Sequence, residues 1–207
     1  MNETAPAHVL TPLFPLHTVL FPGSLLPLRI FEARYLDMIS ASLRHGTAFG
    51  IVPIRQGSEV GATPDFFPFG TLATVETFGR GADGLLQVRI LGSSRFRVGS
   101  HALGTDLLLS AAIEPLAAAD DAPIPHDLTH LRALLREIFA QHAGELPYRD
   151  HQFDSALWVA YRLAEVLPLG AADKLTVLQA DTGLVALARL DASIGALTRP
   201  PPRSARH

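Results

Sequence analysis

PLFPL at residues 12–16 and LFPGSLLPLRIFEARY at residues 20–35 decide how the rest of the chain is read. Both are almost wholly apolar and are punctuated by Pro12, Pro15, Pro22 and Pro27; the second closes on Arg29, Glu32 and Arg34. Proline has no backbone N–H and a fixed φ, so these segments suit only short strands or sheet-edge pieces, which can leave sheet edges unpaired. Phe21-Pro22-Gly23 supplies a tight turn between two such strands, because Gly23 is free to take positive φ. Tyr35, Leu36, Ile39 and Leu43 then recur at helical spacing until Gly46 offers a stop, which predicts a helix over 33–45.

Working outward, short strand-like runs with turn signals lie at 48–54, 71–78, 85–91, 95–98 and 107–113. The character changes near residue 117, where AAADDAPIP (117–125) has the small, acidic, proline-rich composition of a linker. Beyond it the period is helical. Asp127 is placed to cap a helix carrying Leu131, Leu134, Leu135, Ile138 and Phe139 and ended by Gly144. Asp154 or Ser155 can cap a second, with Leu157, Tyr161, Ala164 and Leu167 inward before Pro168. Asp173 and Asp181 can start two more, the last presenting Leu184, Leu187, Leu190 and Ile194. The fold class expected is α+β: a β-rich barrel domain with one helix over 1–117, a helical bundle over 118–199, and a disordered tail over 200–207.

Composition sets independent bounds. The chain has 207 residues and is 48% hydrophobic, enough for a substantial core. Without cysteine there is no disulfide framework, thiolate metal site or cysteine nucleophile. No basic residue precedes Arg29 and prolines break the early apolar run, so it does not read as a signal peptide. No apolar run approaches the roughly 18 residues a membrane helix needs. A cytoplasmic protein is expected. Net charge −3 and a pI near 6.3 weigh against a dedicated nucleic-acid binder.

Several constellations could carry chemistry. GRGADG (79–84) has GxGxxG spacing, but the strand-like LLQVRIL follows where a phosphate site needs a helix, so a hairpin loop is expected and no cofactor. His126 and His130 lie four apart with His142 beyond; no close carboxylate completes a zinc set, and no metal is expected. Arg89, Arg95 and Arg97 alternate with apolar residues and predict one exposed basic stripe, either a solvated face or a contact for RNA or an acidic partner. GxSxG and HExxH are absent, as is any carboxylate pair spaced for acid–base work, so no catalytic residue is assigned.

The opening motif resembles the LON substrate-binding domain, the N-terminal domain of Lon-type ATP-dependent proteases, also found in cereblon. The resemblance runs on through FGIV (49–52), GSEVG (57–61), the strand from Gly70, RFRV (95–98) and, more loosely, ADKLTVLQADTGLVALARL (172–190). It implies a PUA-like barrel and recognition of polypeptide. The ATPase phosphate loop and serine–lysine dyad of full-length Lon proteases have no counterpart in the sequence: the sole lysine, Lys174 in GAADKL, has neither context. Cereblon's zinc module is missing too. The expectation is therefore a non-enzymatic binder of polypeptide or of a partner protein linked to protein quality control. RNA binding through the PUA-like barrel is the alternative. Arg29, Glu32, Arg34 and Tyr35 match the family motif most closely. They are the candidate peptide-binding residues, and structural pairing of their charges is the competing account.

Overall fold

The computed structural model describes residues 10–142, 147–148 and 151–198, and divides between Ala118 and Ala119 into two compact units. The expected stop at Gly144 and the expected tail over 200–207 lie outside the described residues.

Among the described residues seven strands build the first unit: β1 (Thr11–Leu16), β2 (Leu25–Ile30), β3 (Phe49–Gln56), β4 (Asp65–Phe66), β5 (Phe69–Arg80), β6 (Leu86–Leu103) and β7 (Leu109–Pro115), with helix α1 (Ala33–His45) after β2. The order β1-β7-β6-β5-β3 closes on itself because β1 also pairs with β3, in parallel, from Leu13 opposite Gly50 to Leu16 opposite Pro53. A closed five-stranded barrel results. Pro12 and Pro15 are therefore inside the ring rather than on an edge, which corrects the reading of that segment. Proline is tolerated there because β1 divides its partners, with Thr11 and Pro12 opposite β7 and Leu13–Leu16 opposite β3.

The turn at 21–24 forms as expected: the Ser24 N–H donates to the Phe21 carbonyl at 3.1 Å, and Gly23 has φ +75°. It does not make a hairpin. The turn docks on β6, where the Gly23 N–H donates to the Gly92 carbonyl and the Gly92 N–H to the Ser24 carbonyl. The two runs expected at 85–91 and 95–98 are parts of one 18-residue strand, β6. A bulge between the Thr71–Arg95 and Ala73–Gly92 pairs absorbs the extra residue. Helix α1 ends at Gly46 with φ +64°, and it buries Tyr35, Met38 and Ile39, while Leu43 is exposed. These pack with Phe14, Leu16, Ile30, Phe49, Ile51, Val88 and Ile90 into the main core.

The second unit holds α2 (Thr129–Gln141), α3 (Ala156–Val166), α4 (Ala171–Leu178) and α5 (Gly183–Thr198). A 3₁₀ turn over His126–Leu128 delays α2 past Asp127, which is not its cap. Ser155 caps α3, accepting from the Trp158 N–H at 2.9 Å. Gly170 and Thr182, rather than Asp173 and Asp181, stand at the starts of α4 and α5. Leu187 and Leu190 are buried, but Leu184 is exposed. The segment expected as a linker is docked on the helices from Ala119 onward: Asp121 Oδ1 accepts from the Leu157 N–H at 2.9 Å, and Asp120 bridges to Thr182. No helix among the described residues is long and apolar enough to cross a membrane.

Candidate functional site

Beyond the barrel, the first half of β6 and the end of β5 continue as a hairpin, and β2 adds to this extension, Leu25 opposite Leu91 through Ile30 opposite Leu86. GRGADG forms the hairpin tip, with the Gly81 N–H donating to the Leu85 carbonyl. Strand β2 pairs with β6 only, so among the described residues its other edge is open. The register shows what that edge presents. The bonds between Gly92 and the turn at Gly23–Ser24 set the alternation of the antiparallel ladder. Leu26, Leu28 and Ile30 then bond to β6, and Leu25, Pro27 and Arg29 turn their backbone groups outward. Pro27, which has no N–H, thus occupies a position where the sheet loses nothing.

Beside this edge runs a groove of about 310 Å³ lined by Phe14, Leu16, Pro27–Glu32, Tyr35, Glu59 and Val60. Its walls are mostly apolar, with Phe31 54% and Val60 52% exposed. Glu59 Oε1 accepts the His17 N–H at 2.6 Å and so ties the 57–61 loop to the end of β1.

The four candidate residues divide in two. Arg29 is well exposed and pairs with Asp83 of the hairpin tip, not with Glu32. Glu32, at the N-cap of α1, pairs with Arg34 at 2.8 Å. Arg34 is buried: its Nη1 donates to the Leu107 carbonyl at 3.1 Å, and its guanidinium lies 4.6 Å from the Tyr35 ring centre. Tyr35 is 5% exposed and stacks on Phe14 at 3.9 Å, so it backs the groove from the core. Burial, partly offset by Arg34 and reinforced by Glu32 and Glu59, raises its phenol pKa above the ordinary value. Arg29 and Glu32 therefore reach the surface of the groove, while Arg34 and Tyr35 are buried. Phe14, Phe31, Glu59 and Val60 were not singled out from sequence. Apolar residues scattered over positions 14–60 carry no local signal that they share one groove.

The predicted basic stripe is interrupted. Arg95 is 5% exposed and donates to the Ala117 carbonyl at 2.5 Å, because the segment leaving β7 covers that part of the barrel. Arg97 lies over Phe69 and near Glu114, leaving Arg89 on the extension. His130 meets Asp191 of α5 at 2.8 Å, a carboxylate 61 residues away that spacing could not reveal. No cluster of three metal-ligating groups occurs among the described residues.

Residues 11–190 match the family model of the ATP-dependent protease La (LON) substrate-binding domain. The chain is 26% identical over 141 residues to Lon protease of Anaeromyxobacter dehalogenans, covering 66% of this chain but only 16% of that protein. It superposes on a Lon N-terminal domain protein from Xanthomonas campestris with TM-score 0.73 and 33% identity, covering 89% of this chain and 98% of the other. The N-terminal domain of a Mycobacterium avium complex Lon protease shares the fold, with TM-score 0.57 and 21% identity over 90% and 97% of the two chains.

Proposed function

Because the chain belongs to the LON substrate-binding domain family, we propose that it recognises polypeptide without catalysing a reaction, holding extended segments on the open edge of β2 and serving a protease partner in the cytoplasm. One observation carries this reading: among the described residues one edge of β2 is unpaired, and it lies against a mostly apolar groove. Backbone groups at Leu25, Pro27 and Arg29 supply hydrogen bonds of no particular sequence preference, and the groove takes the apolar side chains that unfolded chains expose. Affinity is expected to be weak, on the order of micromolar, as suits a transient contact. Arg29 and Glu32 frame the site, with Arg34 and Tyr35 supporting it. No ATP hydrolysis or peptide cleavage is assigned to the chain.

Titration of a fluorescent apolar peptide tests the reading. The parent peptide should bind, and a version N-methylated at every residue should not, because neither of its edges can donate a hydrogen bond to β2. Equal binding of both, or none at high concentration while RNA titrates in a salt-dependent way, would refute strand addition.

A further inference from the structure

A strand added to β2 has its side chains sorted onto two faces, because successive residues of a strand point to opposite sides. The two faces of this extension differ in charge. On the inner face Leu26, Leu28 and Ile30 pack toward the main core, and the groove beside them holds Phe14, Leu16 and Phe31. Its two carboxylates, Glu32 and Glu59, would repel an incoming acid. On the outer face Pro27 stands opposite Arg89, and Arg89 opposite Thr77; in the next row Arg29 stands opposite Gln87, and Gln87 opposite Gly79. Two arginines therefore occupy diagonal positions above a floor of small or flat residues, in a shallow depression of about 470 Å³ that Arg80 also lines. Asp83 engages Arg29, but among the described residues Arg89 makes no ion pair.

We propose that the open edge of β2 selects extended polypeptide in which apolar and acidic residues alternate, the apolar side chains entering the groove and the acidic ones lying against Arg29 and Arg89. The proposal rests on strand addition at β2 and adds a sequence preference to it. Strands lie about 4.8 Å apart, so an added strand sits one spacing from Arg29 and two, about 10 Å, from Arg89. An extended arginine and a glutamate together span that gap. A polypeptide fits better than a nucleic acid because the inner half of the site is apolar and carries two carboxylates, which would take alternate apolar side chains but not a continuous phosphate backbone.

The test uses three fluorescent ten-residue peptides alternating Val with Ser, Glu or Lys, titrated against the full chain and its Arg89→Glu and Arg89→Gln variants. Arg89 is exposed and outside the groove, so both variants should melt like the wild type. The Val/Ser peptide should bind all three proteins equally. The Val/Glu peptide should bind wild type about tenfold tighter than Val/Lys at low salt, an advantage that shrinks near 0.5 M salt and that Arg89→Glu erases. If Val/Ser binds but Glu and Lys peptides are indistinguishable, charge selection is refuted and strand addition stands. If none of the three binds, both fall. Oligouridylate that displaces Val/Glu and loses affinity in Arg89→Glu would assign the arginines to nucleic acid and overturn the proposal.

Discussion

Truncating Tyr35 separates the core of the β unit from the surface of its groove. The residue is 5% exposed and stacked on Phe14, with the Arg34 guanidinium 4.6 Å from its ring centre. A tyrosine of this kind buries about 150–250 Å², worth about 4–6 kcal/mol at about 25 cal/mol per Å². Alanine keeps its own small share of that burial, and measured truncations of core aromatics fall near 3–5 kcal/mol, so Tyr35→Ala should destabilise by about that amount. Tyr35→Phe keeps the ring and its stacking and should cost about 1 kcal/mol or less. Urea unfolding followed by circular dichroism, with hydrogen exchange on β3 and β6 amides to isolate the β unit, reads both. With a slope of about 1–3 kcal/mol per molar urea, Tyr35→Ala should lower the midpoint by about 1 M or more. An unchanged midpoint together with lost peptide binding would show that Tyr35 is a surface contact and that the packing argument is wrong.

Other outcomes are equally specific. Gly23→Val should cost about 1–3 kcal/mol, and Gly23→Asn less: a Cβ there meets nothing within 4 Å, so the whole effect is positive φ, measurable as a urea midpoint. Gly70→Ala should cost more than Gly23→Ala, because its Cβ would overlap the Ile51 carbonyl and press on the Phe96 ring; equal midpoints would contradict this. Burial raises the phenol pKa of Tyr35 above 10, so above about pH 10 the unfolded chain releases a proton that the folded one retains. Protection of β-unit amides should therefore be flat below pH 9 and fall above pH 10, and Tyr35→Phe should flatten the fall. In the helical unit Tyr148 acts in the same direction, while Lys174, lowered by burial, acts in the other, so the β unit is the cleaner readout. ATP should leave the melting temperature unchanged, since only a ligand of the folded state raises it.

What could be read from sequence was local. Pro22-Gly23, the 33–45 helix with its Gly46 stop and the Ser155 cap each depend on a few adjacent residues, and each took the form expected. The barrel ring did not show itself, because proline suggests an edge while the pairing of β1 with β3 and β7 is fixed by residues 37 to 100 positions away. The continuity of β6 across 92–94 has no local cue, because Gly92 is where the distant 21–24 turn docks on the strand. Asp83, 54 residues from Arg29, has no sequence cue as its partner, and burial of Arg95 depends on where the chain leaves β7. Arg29, Glu32 and Tyr35 do gather at one groove, yet its exposed walls come from Phe31 and Val60, whose roles depend on tertiary placement.

Pairing of Thr11 with Ala111 also orders events during synthesis. At about 5–20 residues per second, β1 leaves the ribosome roughly 5–20 s before the strand that completes its side of the ring. During that interval an apolar segment has no finished sheet to join, and nascent chains in that condition readily pair with one another. Pro12 and Pro15 remove two amide donors from it and keep it a poor template for a neighbouring chain. Replacing both should therefore raise aggregation during translation out of proportion to any loss of equilibrium stability, which places the purpose of these prolines in the waiting chain as much as in the finished barrel.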